Sequence, residues 1–107
     1  MGSVSKMTLK NRINRLIKDN KSVISRYGVA RLGLFGSTVR GEEKENSDID
    51  LLVEFLPGRK NFDNFIELCF FLEDNLGRNV DLLTPEGISP LIKKKIEKEV
   101  EYVQITP

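Results

Sequence analysis

The chain of 107 residues has no histidine and no tryptophan, and its single cysteine is Cys69. Without imidazole, acid–base and metal-binding work falls to carboxylates. One thiol cannot close an internal disulfide, so a reducing, cytoplasmic setting is the expectation. No apolar run approaches the roughly 20 residues of a membrane span, and no secretory h-region opens the chain. Repeats, low-complexity tracts and linkers are absent too. What is present, 39% apolar and 31% charged residues, is the composition of a soluble globular protein. A chain of this size buries roughly 60% or more of its extended surface. One domain over residues 1–107 is therefore expected, with 1–6 as a flexible lead-in and no room for a second lobe.

The net charge of +1 conceals a gradient. Residues 1–40 carry nine Lys/Arg against the single acid Asp19, whereas residues 41–82 carry eleven acids against four bases. This serves either internal ion pairing or a patch for a phosphate-bearing or acidic partner.

Apolar spacing predicts a helix through Leu9, Ile13, Leu16, Ile17, Ile24 and Tyr27 that stops at Gly28. Val29 to Phe35 reads as a strand, Ser37 to Gly41 as one helical turn, and Asp48 to Phe55 as a second strand. Phe62, Phe65, Ile66, Cys69, Phe70, Leu72 and Leu76 form a helical stripe, with Phe71 lying off it as a candidate interface residue. Asn79 to Thr84 is a third strand, Ile88 to Val100 a last helix, and Glu101 to Ile105 a short terminal strand. The fold class is α/β (α+β), a small mixed sheet backed by helices.

Ten residues separate Gly36-Ser37 from Asp48-Ile49-Asp50. On a strand Asp48 and Asp50 share one face, about 6.6 Å apart, and Ile49, Leu51, Val53 and Phe55 take the other. Two carboxylates on one face repel, and a divalent cation relieves the repulsion. Magnesium suits such a place because it takes a few carboxylate oxygens and fills its shell with water and phosphate. Asp81 would supply a third carboxylate from a neighbouring strand, enough for two ions about 4 Å apart. The plain alternative is that Asp48 caps a strand end and Asp50 is a solvated rim residue. Gly36 lets backbone approach an anion, amides opening a helical turn offer donors, Ser37 adds a hydroxyl and Arg40 a charge. A bare strand-to-helix turn with a solvated arginine explains the same residues. If the two motifs share one site, the first two strands run antiparallel, and the Asp81 strand runs parallel to the second through a helical crossover.

With Gly36-Ser37, Asp48-x-Asp50 and Asp81 in place, the chain resembles the small nucleotidyltransferases of the DNA polymerase beta superfamily. More narrowly it is similar to the minimal nucleotidyltransferases that act as antitoxins of HEPN-domain toxins. Phe35, Arg40-Gly41, Ser47 and Leu51 agree with that pattern, and the likeness spans about residues 9 to 105. The resemblance implies a polymerase-beta-like core that transfers AMP from ATP to an acceptor hydroxyl. Gly36 and Ser37, with Arg40 beside them, would hold the triphosphate. Asp48 and Asp50 would bind two Mg²⁺ ions, and Asp81 would complete one shell and help deprotonate the acceptor. The acceptor implied is a tyrosine of a partner HEPN toxin. Two other readings stand beside it: an antitoxin that only occludes its partner, and nucleotidyl transfer to RNA held by Lys6, Lys10, Arg12, Arg15 and Lys18. Homo- or hetero-oligomers are compatible with each.

Overall fold

The computed structural model describes residues 7–107, so the expected lead-in at 1–6 and Lys6 lie outside it. Helix α1 (Leu9–Asp19) starts where the Thr8 side chain accepts from the Asn11 amide at 3.1 Å. Its Leu9, Ile13 and Ile17 are buried. The single long helix expected to reach Tyr27 is in fact broken at Asn20. There the Asn20 side chain donates to the Leu16 carbonyl at 2.8 Å, and its backbone leaves helical geometry. Asparagine offers the backbone this alternative partner, which periodicity does not register. Helix α2 (Lys21–Ser25) then returns Ile24 to the core.

Strand β1 (Val29–Phe35), the turn α3 (Ser37–Arg40), β2 (Ile49–Phe55), α4 (Phe62–Leu76) and β3 (Val80–Leu83) follow. A 3₁₀ turn at Pro85–Gly87 leads to α5 (Pro90–Glu97) and β4 (Glu101–Gln104). The sheet order is β3-β2-β1-β4. β1 is antiparallel to both β2 and β4, while β2 and β3 are parallel and joined across α4. This is the mixed sheet and the strand directions expected from a shared site.

The sheet is covered on both faces. Leu32 and Leu34 of β1, Ile49, Leu51 and Val53 of β2, and Leu82 of β3 face a core with α1, α2 and α4. The opposite face carries a smaller cluster of Phe35, Leu52 and Ile96, flanked by Leu83, Ile88 and Val100. Gly33 lies under this second layer: a Cβ there would stand 2.6 Å from Val100 Cγ2 and 2.8 Å from Tyr102. Only glycine lets the α5–β4 junction settle so close to β1.

Two helical stripes need correction. Phe62 and Phe70 are 74% and 57% exposed, whereas Leu68, Leu72 and Leu76 are buried. Phe71, off the expected stripe, is half-buried and packs on the core against Tyr27, ring centres 6.2 Å apart. Helix α4 is apolar around most of its girth, so a 3.6-residue period cannot single out the buried side. The last helix is also shorter than Ile88 to Val100. Pro90 opens it, Ser89 caps it, and only Ile96 within it is buried, leaving Leu91 and Ile92 exposed. Cys69 sits half-buried against the core, its thiol 3.8 Å from the Val80 carbonyl oxygen. Among the described residues no helix is long and apolar enough to cross a membrane.

Candidate active site

Strand alternation puts Asp50, Leu52 and Glu54 on the second face of the sheet, away from the main core. Asp50 is directly opposite Phe35 on β1 and Asp81 on β3. Three chain segments thus meet at one sheet end: the close of β1, the opening of β2 and the opening of β3. Asp48 falls just outside β2, which begins at Ile49 rather than at Asp48 as expected. It is exposed, at the end of a polar loop.

That loop is stapled from below. Arg78 Nη2 donates to the carbonyls of Lys44 (2.6 Å) and Ser47 (2.8 Å), and the Lys44 amide donates to Ser47 Oγ at 2.9 Å. Asp48 consequently leaves a tied loop beside Asp50. It borders a polar hollow of about 240 Å³ shared with Ser47, Arg78 and Asn79. A second hollow of about 250 Å³ is lined by Arg31, Leu52, Glu54, Ile96 and Tyr102, and by none of the three aspartates.

The electrostatics mark Asp50 as the centre of the cluster. Partial burial raises its pKa above the ordinary aspartate value, and the charges of Asp81 and Asp48 raise it further. Glu99 adds to the repulsion and Arg40 opposes it. Every potential ligand here is a carboxylate oxygen, the donor type of hard divalent cations. Among the described residues no three such groups stand close enough together to hold a metal ion as placed. Asp48 and Asp81 are both exposed, and Asp50 alone is set against the backbone. The donor chemistry fits a hard cation, and the crowding of negative charge is what such an ion would relieve.

The glycine–serine corner abuts this cluster. Gly36 has φ 80° and ψ −155°, a conformation essentially restricted to glycine. A Cβ on it would collide with Asp50 Oδ2. The amides of Ser37 and Thr38 have no acceptor among the described residues, and Thr38 Oγ1 is buried without a partner. The Gly36 amide, just before the turn, donates to Glu99 Oε2 at 2.6 Å. Arg40, expected to be free for phosphate, holds Glu42 Oε1 through Nε at 2.9 Å and Glu99 Oε1 through Nη1 at 2.7 Å. Sequence reasoning missed Glu99 and Arg78. Neither has a spacing signal: Glu99 is 63 residues from Gly36, in a run of mixed charge. Arg78 offers only its nearness to Asp81.

A family model for the nucleotidyltransferase domain matches residues 13–103. Protein adenylyltransferase MntA of Thermococcus cleftensis is 41% identical over 99 residues, covering 91% of this chain and 97% of that protein. The solved structure of a candidate minimal nucleotidyltransferase superposes with a TM-score of 0.74 at 34% identity, over 92% of this chain and 98% of that one. A chain from a toxin–antitoxin crystal structure with AMP-PNP gives a TM-score of 0.62 at 26% identity, over 86% of this chain and 69% of that one. The matched span contains the Gly36-Ser37 corner and all three aspartates, and this chain belongs to the nucleotidyltransferase domain family.

Proposed function

We propose that the chain is a magnesium-dependent protein adenylyltransferase that moves AMP from ATP onto a tyrosine of a partner HEPN-domain toxin, and so acts as its antitoxin. The observation that carries this reading is Asp50 standing opposite Asp81 with Gly36 packed against its carboxylate. Asp48, Asp50 and Asp81 would hold the magnesium. When bound, the metal neutralises the triphosphate and the charge that develops on the reacting oxygens. Ser37 and the free amides of the α3 turn hold the phosphates, with Gly36 allowing their close approach and Arg40 facing them from the end of the turn. The acceptor hydroxyl oxygen attacks the α-phosphorus and the bond to the bridging oxygen breaks. Pyrophosphate leaves, and the hydroxyl proton passes to Asp81. A transfer of this type needs positioning and charge compensation rather than a covalent intermediate.

The relatives support the choice of acceptor. One is a protein adenylyltransferase, and a structural neighbour lies in a toxin–antitoxin complex with an ATP analogue. A single-domain, cytoplasmic protein fits that role, since ATP and a reduced thiol belong to the same compartment. On α1, Lys10 is paired with Glu101 and Arg15 with Asp19, whereas Arg12 and Lys18 have no ion-pair partner among the described residues.

The test incubates the chain with α-labelled ATP, Mg²⁺ and a HEPN-domain toxin, against the double variant Asp48→Asn/Asp50→Asn. Label is expected on a toxin tyrosine with the wild type and not with the variant. Toxin neutralised equally by both chains, with no label, would overturn the enzymatic reading in favour of occlusion. Label recovered on RNA would change the acceptor.

A further inference from the structure

We infer that Glu99 is a positioning residue for nucleotide transfer, clamping both ends of the phosphate-binding turn from the opposite end of the chain. The inference rests on the adenylyltransferase reading above and adds to it a group that no motif contains.

Glu99 follows α5 and precedes β4, and its own amide is anchored on the Ile96 carbonyl at 3.0 Å. Ile96 is itself buried in the second-face cluster with Phe35 and Leu52. The backbone under Glu99 is therefore tied to β1, which Gly36 follows directly, and to β2, which carries Asp50. From there the two carboxylate oxygens divide their work. Oε2 takes the Gly36 amide at the start of α3, and Oε1 takes Arg40 Nη1 at its end. One side chain thus spans the whole turn. Glu42 grips Arg40 Nε from the other side. Two of the three guanidinium nitrogens are engaged, and Nη2 has no acceptor among the described residues.

The charge of Glu99 makes a purely electrostatic role unreasonable. It is a fourth carboxylate beside Asp48, Asp50 and Asp81, and it opposes the approach of a triphosphate. Its contribution must be geometric. It holds Gly36 in a conformation that keeps the Asp50 carboxylate against the backbone, and it holds Arg40 so that the remaining N–H groups are fixed before nucleotide arrives. Preorganised donors lower the barrier without being reoriented during the reaction. A misplacement of about 1 Å costs on the order of 100-fold in rate.

Two substitutions separate the two contacts. Glu99→Gln keeps an oxygen for the Gly36 amide and loses the ion pair with Arg40; Glu99→Ala loses both. Steady-state transfer is measured for each, with Mg-ATP affinity measured separately by calorimetry. About a 10-fold loss of kcat is expected for Glu99→Gln and about 100-fold for Glu99→Ala, with ATP affinity held within about threefold. Lost attraction through Arg40 and relieved repulsion from the carboxylate oppose each other in binding. Arg40→Ala supplies the coupling test: in that background Glu99→Gln should cost nothing further, whereas Glu99→Ala should still cost activity through Gly36. Additive losses would mean a general structural role and overturn the inference. So would kcat values of both Glu99 variants within about twofold of wild type. If Glu99→Ala fails to fold, Glu99→Gln and its coupling to Arg40 carry the test alone. A wild-type chain that transfers no label would instead sink the adenylyltransferase reading, which is a different outcome.

Discussion

Asp50→Asn is expected to cut AMP transfer by about a thousandfold while making the metal-free chain more stable at neutral pH. The activity loss follows from position. Asp50 is the only one of the three aspartates that faces another across the sheet and packs against the glycine corner. The stability gain follows from the direction of its pKa. Partial burial raises the value, and Asp81 and Asp48 raise it further, so the folded state disfavours the ionised form. A carboxyl with a folded pKa above its unfolded one costs stability as pH rises from the ordinary aspartate range through the raised value. At neutral pH the full penalty is present; in acid below the unfolded pKa it is gone. Thermal melts in EDTA should therefore show Asp50→Asn melting above wild type at pH 7, with the gap closing as pH falls through that window. Magnesium should narrow the pH 7 gap by stabilising the wild type alone. Equal melting of the two chains at pH 7 would contradict the crowding of charge at Asp50. Such a gain in stability on removal of a functional group is the expected signature of an active site.

Gly36→Ala is the second large effect. The backbone there, at φ 80° and ψ −155°, costs a residue with a side chain about 1–3 kcal/mol. In a domain of this size that amounts to a drop in melting temperature of about 5–20 °C. The new methyl group would also meet Asp50 Oδ2 and push the carboxylate off its place beside Asp81. Transfer should fall below detection even at temperatures where the variant is fully folded. Gly41→Ala is the control, because Gly41 has φ 71° but nothing within 4 Å of its missing Cβ. It should lose stability through the backbone alone and retain transfer. Similar activity losses in the two alanine variants would mean that backbone strain, and not the contact with Asp50, governs the corner.

The arrangement of strands was readable because two motifs had to share a site. Gly36-Ser37 ends an apolar run and Asp48-x-Asp50 begins one, which only antiparallel strands reconcile. The parallel pairing of Asp50 with Asp81 followed from the same logic and from a helix between them long enough to cross over. What escaped was of two kinds. Periodicity cannot orient a helix with apolar residues on several sides, which is why Phe70 and Phe71 exchanged places. Nor can it detect Asn20 turning its side chain back on the Leu16 carbonyl. The second kind is long-range polar contact. Glu99 on Gly36 and Arg78 on the loop before Asp48 are set by tertiary geometry, and their residue types are common on any charged surface. Spacing picked out the groups proposed to meet substrate but not the long-range contacts made to them.

The most direct test is a crystal structure of the chain with Mn²⁺ and a non-hydrolysable ATP analogue, read by the manganese anomalous signal. Ions should appear about 2 Å from oxygens of Asp48 and Asp50, with Asp81 joining one of them and the phosphates seated on the Ser37 turn. Manganese bound away from these carboxylates, or a fully occupied nucleotide site in which Asp81 touches no ion, would contradict it.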